Sequence, residues 1–213
     1  MNNSQSKAAS ARRLKPRKAP SQPRSAHTVE AILEGAAHIL EQSGLDGYTT
    51  NAIAARAGVS IGSLYQYFPT KDAVTVALIE RERADLVREA IQALAQDDRC
   101  MALHQLIEIA VRHQLRRPAL AALLDFEQHR LSAVMPASGN GVTMHVALAG
   151  FVRAGISKGM LAPELAATDL MAIISALTDA AGRRGSVDPL QLVARTEAAV
   201  RAYLGALAEP GMG

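Results

Sequence analysis

The chain has almost no capacity for sulfur cross-links and very little aromatic bulk. Its one cysteine, Cys100, excludes an intramolecular disulfide framework and fits a reducing cytoplasm. Tryptophan is absent and aromatics make up 3% of residues, so a core must be packed from Leu, Ile, Val, Ala and Met. No run of about 18 uninterrupted apolar residues occurs, which argues against a membrane span. The nearest is broken by His145, Arg153, Asp169 and Asp179. HExxH, CxxC and clustered cysteines are missing too. No nucleophile, base and oxyanion donors are spaced for catalysis, so neither a catalytic residue nor a cofactor is expected. Strand-type alternation and internal repeats are lacking as well.

Acidic side chains are missing from the first 25 residues. That segment carries Lys7, Arg12, Arg13, Lys15, Arg17, Lys18 and Arg24, which makes it +7 and leaves the remainder of the +3 chain at −4. Its Ser, Pro and Gln content predicts a disordered basic tail over 1–24. Pro16, Pro20 and Pro23 rule out the amphipathic helix of an organellar transit peptide. Such a tail either adds phosphate-neutralising charge to a nucleic-acid binder or only keeps the N-terminus soluble.

What the chain does have is helical periodicity. Val29, Ile32, Leu33, Ala36, Ala37 and Leu40 recur at three- and four-residue spacing and predict a helix over 27–43 that ends at Ser43-Gly44. Next comes TTNAIAARAGVSIGSLYQYFPTK, residues 49–71. Ile53, small Ala54, Gly58, Val59 and Leu64 fall where two short helices crossing steeply need them. Ala54 permits close approach, Gly58 can take the left-handed conformation that stops a helix, and Ser60 can cap the next one. This is the form of a helix-turn-helix, with Ile61–Tyr67 as the helix that enters a DNA groove.

These residues, with Thr49-Thr50, Ala57-Gly58-Val59-Ser60, Gly62-Ser63-Leu64-Tyr65-Gln66-Tyr67-Phe68 and Lys71, resemble the DNA-binding domain of the TetR family of bacterial transcriptional regulators over roughly 25–75. The resemblance implies that Ser60, Ile61, Gly62, Ser63, Tyr65, Gln66 and Tyr67 face double-stranded DNA. It also implies a homodimeric repressor. Gly62 would allow close backbone approach, Ile61 and Tyr65 would meet thymine methyls, and Gln66 an adenine edge or a phosphate. Thr50, Asn51, Tyr67 and Lys71 look like the phosphate contacts. A cation in the first turn of a helix opposes its dipole, so Lys71 needs a compensating partner, and a phosphate would serve.

Beyond residue 71 the sequence predicts helices over about 71–95, 100–116, 118–134, 141–159, 163–182 and 189–208. They are separated by Arg117-Pro118, Pro136–Asn140, Ala162-Pro163 and Gly185–Pro189. The expectation is an all-α protein: a basic tail 1–24, a helix-turn-helix domain 25–72, and a helical ligand-binding and dimerisation domain 73–213. His113 and Glu127 interrupt apolar faces, and Met144, Leu148 and Phe151 form an apolar stripe. Together they are candidates to bind an unknown small-molecule effector. The competing reading is packing, with Glu127 paired to an arginine and His113 a satisfied core histidine. Val193, Val200, Tyr203 and Leu207, and the Ala-rich helix 163–182, are candidates for a dimer interface or, equally, for intrachain core.

Two other classes compete with the regulator reading. His104 with Glu108, and Asp125 with His129, stand four apart and could bring two metal ligands together, giving a metal-responsive regulator. The basic tail alone would suit a non-specific architectural DNA binder, but that reading does not explain the helix-turn-helix.

Overall fold

The computed structural model describes residue 14 and residues 23–135, 139–155, 161–184 and 188–208. The described residues form nine helices and no strand: α1 (Pro23–Gly47), α2 (Thr50–Arg56), α3 (Ile61–Tyr67), α4 (Lys71–Leu94), α5 (Arg99–Arg116), α6 (Pro118–Leu131), α7 (Gly139–Arg153), α8 (Pro163–Arg184) and α9 (Pro189–Ala208). The protein is all-α, as its periodicities predict. Apart from Leu14 and the start of α1, the expected tail lies outside the described residues.

The chain divides into two compact units, residues 1–82 with 122–138, and residues 83–121 with 139–213. The first therefore extends past the expected limit at 72, taking in the opening turns of α4 and most of α6. Its core holds Ile32, Leu33, Ala36, Ala37, Leu40, Tyr48, Ile53, Ala54, Leu64, Phe68, Val74 and Ile79, all buried. The α1 stripe expected from the sequence supplies five of these, from Ile32 to Leu40. Gly35 sits where α1 meets α2, and a Cβ there would lie 3.2 Å from both the Ala57 amide nitrogen and the Ile53 carbonyl oxygen. Arg81 ties α4 to α1 through Glu30 at 2.8 Å and Glu34 at 2.9 Å.

The break expected at Ser43-Gly44 is present: Gly44 leaves the helical conformation, with φ of 60° and ψ of −159°, and a separate short helical turn follows the kink as far as Gly47.

In the second unit α5, α7, α8 and α9 pack around Leu103, Leu106, Ile107, Val111, Leu148, Val152, Leu170, Leu192 and Val200. Asp98 caps α5 by accepting from the Cys100 and Met101 amides, and Asp188 caps α9 by accepting from the Leu190 amide. Among the described residues α8 is long and apolar enough to cross a membrane. Its Ala166, Ala167, Leu170, Ile174 and Ala181 are nonetheless buried against neighbouring helices.

Candidate nucleic-acid interface

The cap expected at Ser60 and the stop expected at Gly58 are both made, and Thr49 and Thr70 cap the neighbouring helices. Thr49 accepts from the Ala52 amide at 3.1 Å and starts α2; Ser60 accepts from the Ser63 amide at 3.0 Å and starts α3. Between them the Gly58 backbone is left-handed at φ 68°, and the Val59 amide donates back to the Ala54 carbonyl at 3.0 Å. Thr70 then caps α4 by accepting from the Ala73 amide at 3.0 Å.

These caps fix how α3 is rotated. Leu64 and Phe68 point inward with no exposure, while Ser60, Ile61, Gly62, Tyr65 and Gln66 are exposed and Ser63 and Tyr67 are half-buried. Ile61 at 39% and Tyr65 at 41% are large apolar side chains left in water on one short face. The Tyr65 hydroxyl lies 3.2 Å from the Thr50 hydroxyl, so α2 and α3 join on this face, where Asn51 is also exposed. No carboxylate occurs between Asp46 and Asp72, whereas Arg56 and Lys71 fall inside that interval and are exposed. The face is thus neutral to basic, as a surface meeting phosphates must be.

Gly62 is the informative residue. Its φ is not positive, and a Cβ built there would meet only the Ser60 hydroxyl at 3.8 Å, an ordinary contact. No atom near this first-turn position of α3 requires glycine.

Lys71 has a partner the sequence reading did not anticipate. Its ammonium lies 5.4 Å from the centre of the Tyr48 ring, and Asp72 follows it in the first turn of α4. The dipole argument therefore does not by itself demand a phosphate. Tyr48 is fully buried, its hydroxyl 3.2 Å from the Thr75 hydroxyl, and burial pushes its phenol up to about 12. The phenol stays neutral and the ring serves as a fixed platform beneath the lysine.

The candidate effector residues are divided between the two units. Glu127 belongs to the first unit, and His113, Met144, Leu148 and Phe151 to the second. Glu127 is 4% exposed and grips the Arg130 guanidinium with both carboxylate oxygens, at 3.0 Å and 2.6 Å. Arg130 also reaches Asp72 at 2.5 Å. Hydrogen bonds to Glu127 and then Asp72 raise the Arg130 pKa above its ordinary value, so the cation is permanent. Arg130, three residues on, is the arginine partner that the packing reading gives Glu127, whereas Asp72 lies 58 residues from Arg130 and had no sequence signal.

Met144, Leu148 and Phe151 are buried in the second unit's core, and the Arg99 guanidinium sits 4.2 Å over the Phe151 ring. His113 is half-buried. A cleft of about 440 Å³ opens between α4 and α5, but its lining is mainly polar (Glu89, Gln92, Gln96, Gln105, Glu108 and Arg112) and contains none of these residues. Of the metal candidates, His104 holds Glu197 at 2.9 Å and approaches Glu108 at 3.5 Å. The Glu197 hydrogen bond raises the imidazole's pKa. His129 bonds the Asp125 backbone carbonyl at 2.8 Å. Among the described residues no group of three His, Cys, Asp or Glu is placed to hold a metal ion.

Residues 32–78, which contain the whole of this exposed face, match the family described as Bacterial regulatory proteins, tetR family. Residues 32–78 are thus a DNA-binding domain of the tetR family type. The nucleoid occlusion factor SlmA of Pasteurella multocida is 29% identical over 111 residues, 49% of this chain and 56% of that relative. The chain thus spans about half the length of that SlmA protein. The TetR fold extends further. The fatty acid degradation regulator FadR of Bacillus halodurans superposes with a TM-score of 0.68 at 18% identity, covering 86% of this chain and 96% of that one. A TetR-family transcriptional regulator from Streptomyces coelicolor gives 0.64 at 22% identity, covering 84% and 99%.

Proposed function

We propose that this chain is a sequence-specific DNA-binding transcriptional regulator, a repressor that holds a palindromic operator as a homodimer and leaves it when a small apolar or amphipathic molecule binds. The observation that carries this reading is the α3 face. It exposes Ile61, Gly62, Tyr65 and Gln66 from an acid-free stretch, and its one glycine has no structural need to be there. Thr50, Asn51, Tyr67 and Lys71 flank that face as phosphate contacts, and Ser60 and Ser63 stand at its leading edge. Selecting bound duplexes from random DNA tests the reading, which expects a palindromic consensus bound at least about a thousandfold better than bulk DNA at physiological salt. Recovery of unrelated sequences would instead favour an architectural binder.

A two-fold partner is needed because one short helix reads few base pairs. The candidate interface residues need revision. Val193 and Val200 are buried within the chain's own core, and Tyr203 donates to Asp169 of α8 at 2.6 Å. The other side of α9 is open: Leu190 is 77% exposed, and Ala194, Ala198, Ala202 and Ala206 follow it at four-residue spacing. On α8, Leu165, Ala172 and Ala176 are exposed likewise. Small side chains let helices approach closely, and this is the face we assign to the partner subunit. Ala198→Glu is expected to give a folded monomer, with sedimentation near 22.5 kDa instead of twice that, and an unchanged helical circular dichroism spectrum. A dimer that survived this change would move the interface elsewhere.

A second reading is favoured by the SlmA relatives, whose identity to this chain exceeds that of FadR and the Streptomyces regulator. DNA binding would then act on the bacterial chromosome at large. Mapping occupied sites in cells separates the two: a few promoter sites support the regulator, and many dispersed sites support a nucleoid occlusion factor.

A further inference from the structure

Leu14 is the one described residue of the basic arm ahead of α1, and it is only 5% exposed. It packs against Val76 of α4 and Leu131 at the end of α6, with Val134 and Met135 of the following turn completing the niche. All of these belong to the first unit. We propose that this niche is a docking site for the chain's own arm, that Leu14 is its plug, and that docking stations the arm's cations beside the DNA-binding face.

The sequence singles out Leu14. Among residues 1–22 it is the only large apolar side chain besides Met1, and Arg12, Arg13, Lys15, Arg17 and Lys18 all lie within four residues of it. A plug with cations on both sides is an anchor for charge. The niche is close to the face it would serve. Val76 is five residues beyond Lys71, about 7.5 Å along the helix axis. Arg130, next to Leu131, bonds Asp72 in that same first turn. Four residues of extended chain reach at most about 14 Å, so docking limits how far those five charges stray from the flank of α3 and Lys71. Screening at physiological salt reduces charge interactions beyond about 8 Å, so an arm held near the duplex counts where a freely ranging one is diluted. Burying one leucine gains about what ordering one or two residues costs, which makes docking reversible.

The inference rests on the DNA-binding reading for its consequence but not for the docking itself, and the experiment separates them. In a Cys100→Ser background, Leu14→Cys with Val134→Cys is expected to form a disulfide on mild oxidation at least about tenfold faster than Ser4→Cys with Val134→Cys, by the ratio of effective concentrations. Equal rates would overturn docking. Leu14→Ser keeps every charge, yet should weaken duplex binding at about 0.1 M salt roughly threefold, while the oxidised Leu14→Cys, Val134→Cys double variant should bind as tightly as the wild type. Wild-type affinity in Leu14→Ser would overturn the stationing role. A wild-type chain that binds no duplex would sink the DNA reading and the stationing role with it, and the cross-linking rates would still decide docking.

Discussion

Gly62→Ala is expected to make the protein more stable and worse at its work. An alanine methyl at this helical position meets nothing closer than 3.8 Å inside the chain. It replaces a glycine in the first turn of α3 at a backbone conformation alanine can adopt, a gain of about 0.4–1 kcal/mol that comes chiefly from the less free unfolded chain. For a chain of this size that is a rise of roughly 1–4 °C in the melting midpoint. On the proposed DNA-binding reading the same methyl would stand between the α3 backbone and the base edges, where loss of one good contact costs about 1–3 kcal/mol. Operator affinity should therefore fall about tenfold or more for alanine and further for Gly62→Val, with bulk-DNA binding nearly unchanged. Differential scanning calorimetry and titration on the selected operator check the two halves. A stabilised variant with undiminished operator affinity would mean that Gly62 does not face DNA.

The second large effect is at Glu127. Its carboxylate is 4% exposed and held by Arg130, which in turn holds Asp72. Removing one partner of a buried pair strands the other, at a cost of about 3–5 kcal/mol, whereas replacing both with apolar residues is often neutral. Because the Arg130 side chain is 41% exposed, the lower end applies. Arg130→Met should lower the melting midpoint by about 6–10 °C, and adding Glu127→Leu should restore most of it. Were Glu127 instead an effector ligand, Arg130→Met would leave stability unchanged and alter only ligand response. The double mutant would then be no more stable than the single.

What the sequence made legible was local. Ser60 is a cap whose donor lies three residues away, and Gly58 is a left-handed stop; such chemistry is complete within a few residues. Pro118, Pro163 and Pro189 opened their helices for the same reason. Contacts between distant segments were not legible. Nothing near Glu127 announced that Asp72, on α4, would join its arginine. Tyr48 reads as one aromatic before a cap, although it is buried and lies beneath Lys71. The stripe of Val193 and Val200 said that one face of α9 is buried, but periodicity cannot say which chain buries it. Leu14 has no period at all, so its burial had no sequence signal.

Gly35 makes operator choice a property of the scaffold as well as of the reading face. The contact that keeps α1 against α2 involves backbone atoms, Ala57 N and Ile53 O, at 3.2 Å from where a methyl would stand. Those atoms bond each other at 2.9 Å to close the last turn of α2 and cannot swing aside as a long side chain can. A single added carbon must therefore lift α2 by a few tenths of an ångström, and α3 travels with it through the turn at Gly58. DNA preference could drift during descent by a change on the far side of the domain, every base-reading residue remaining as it was.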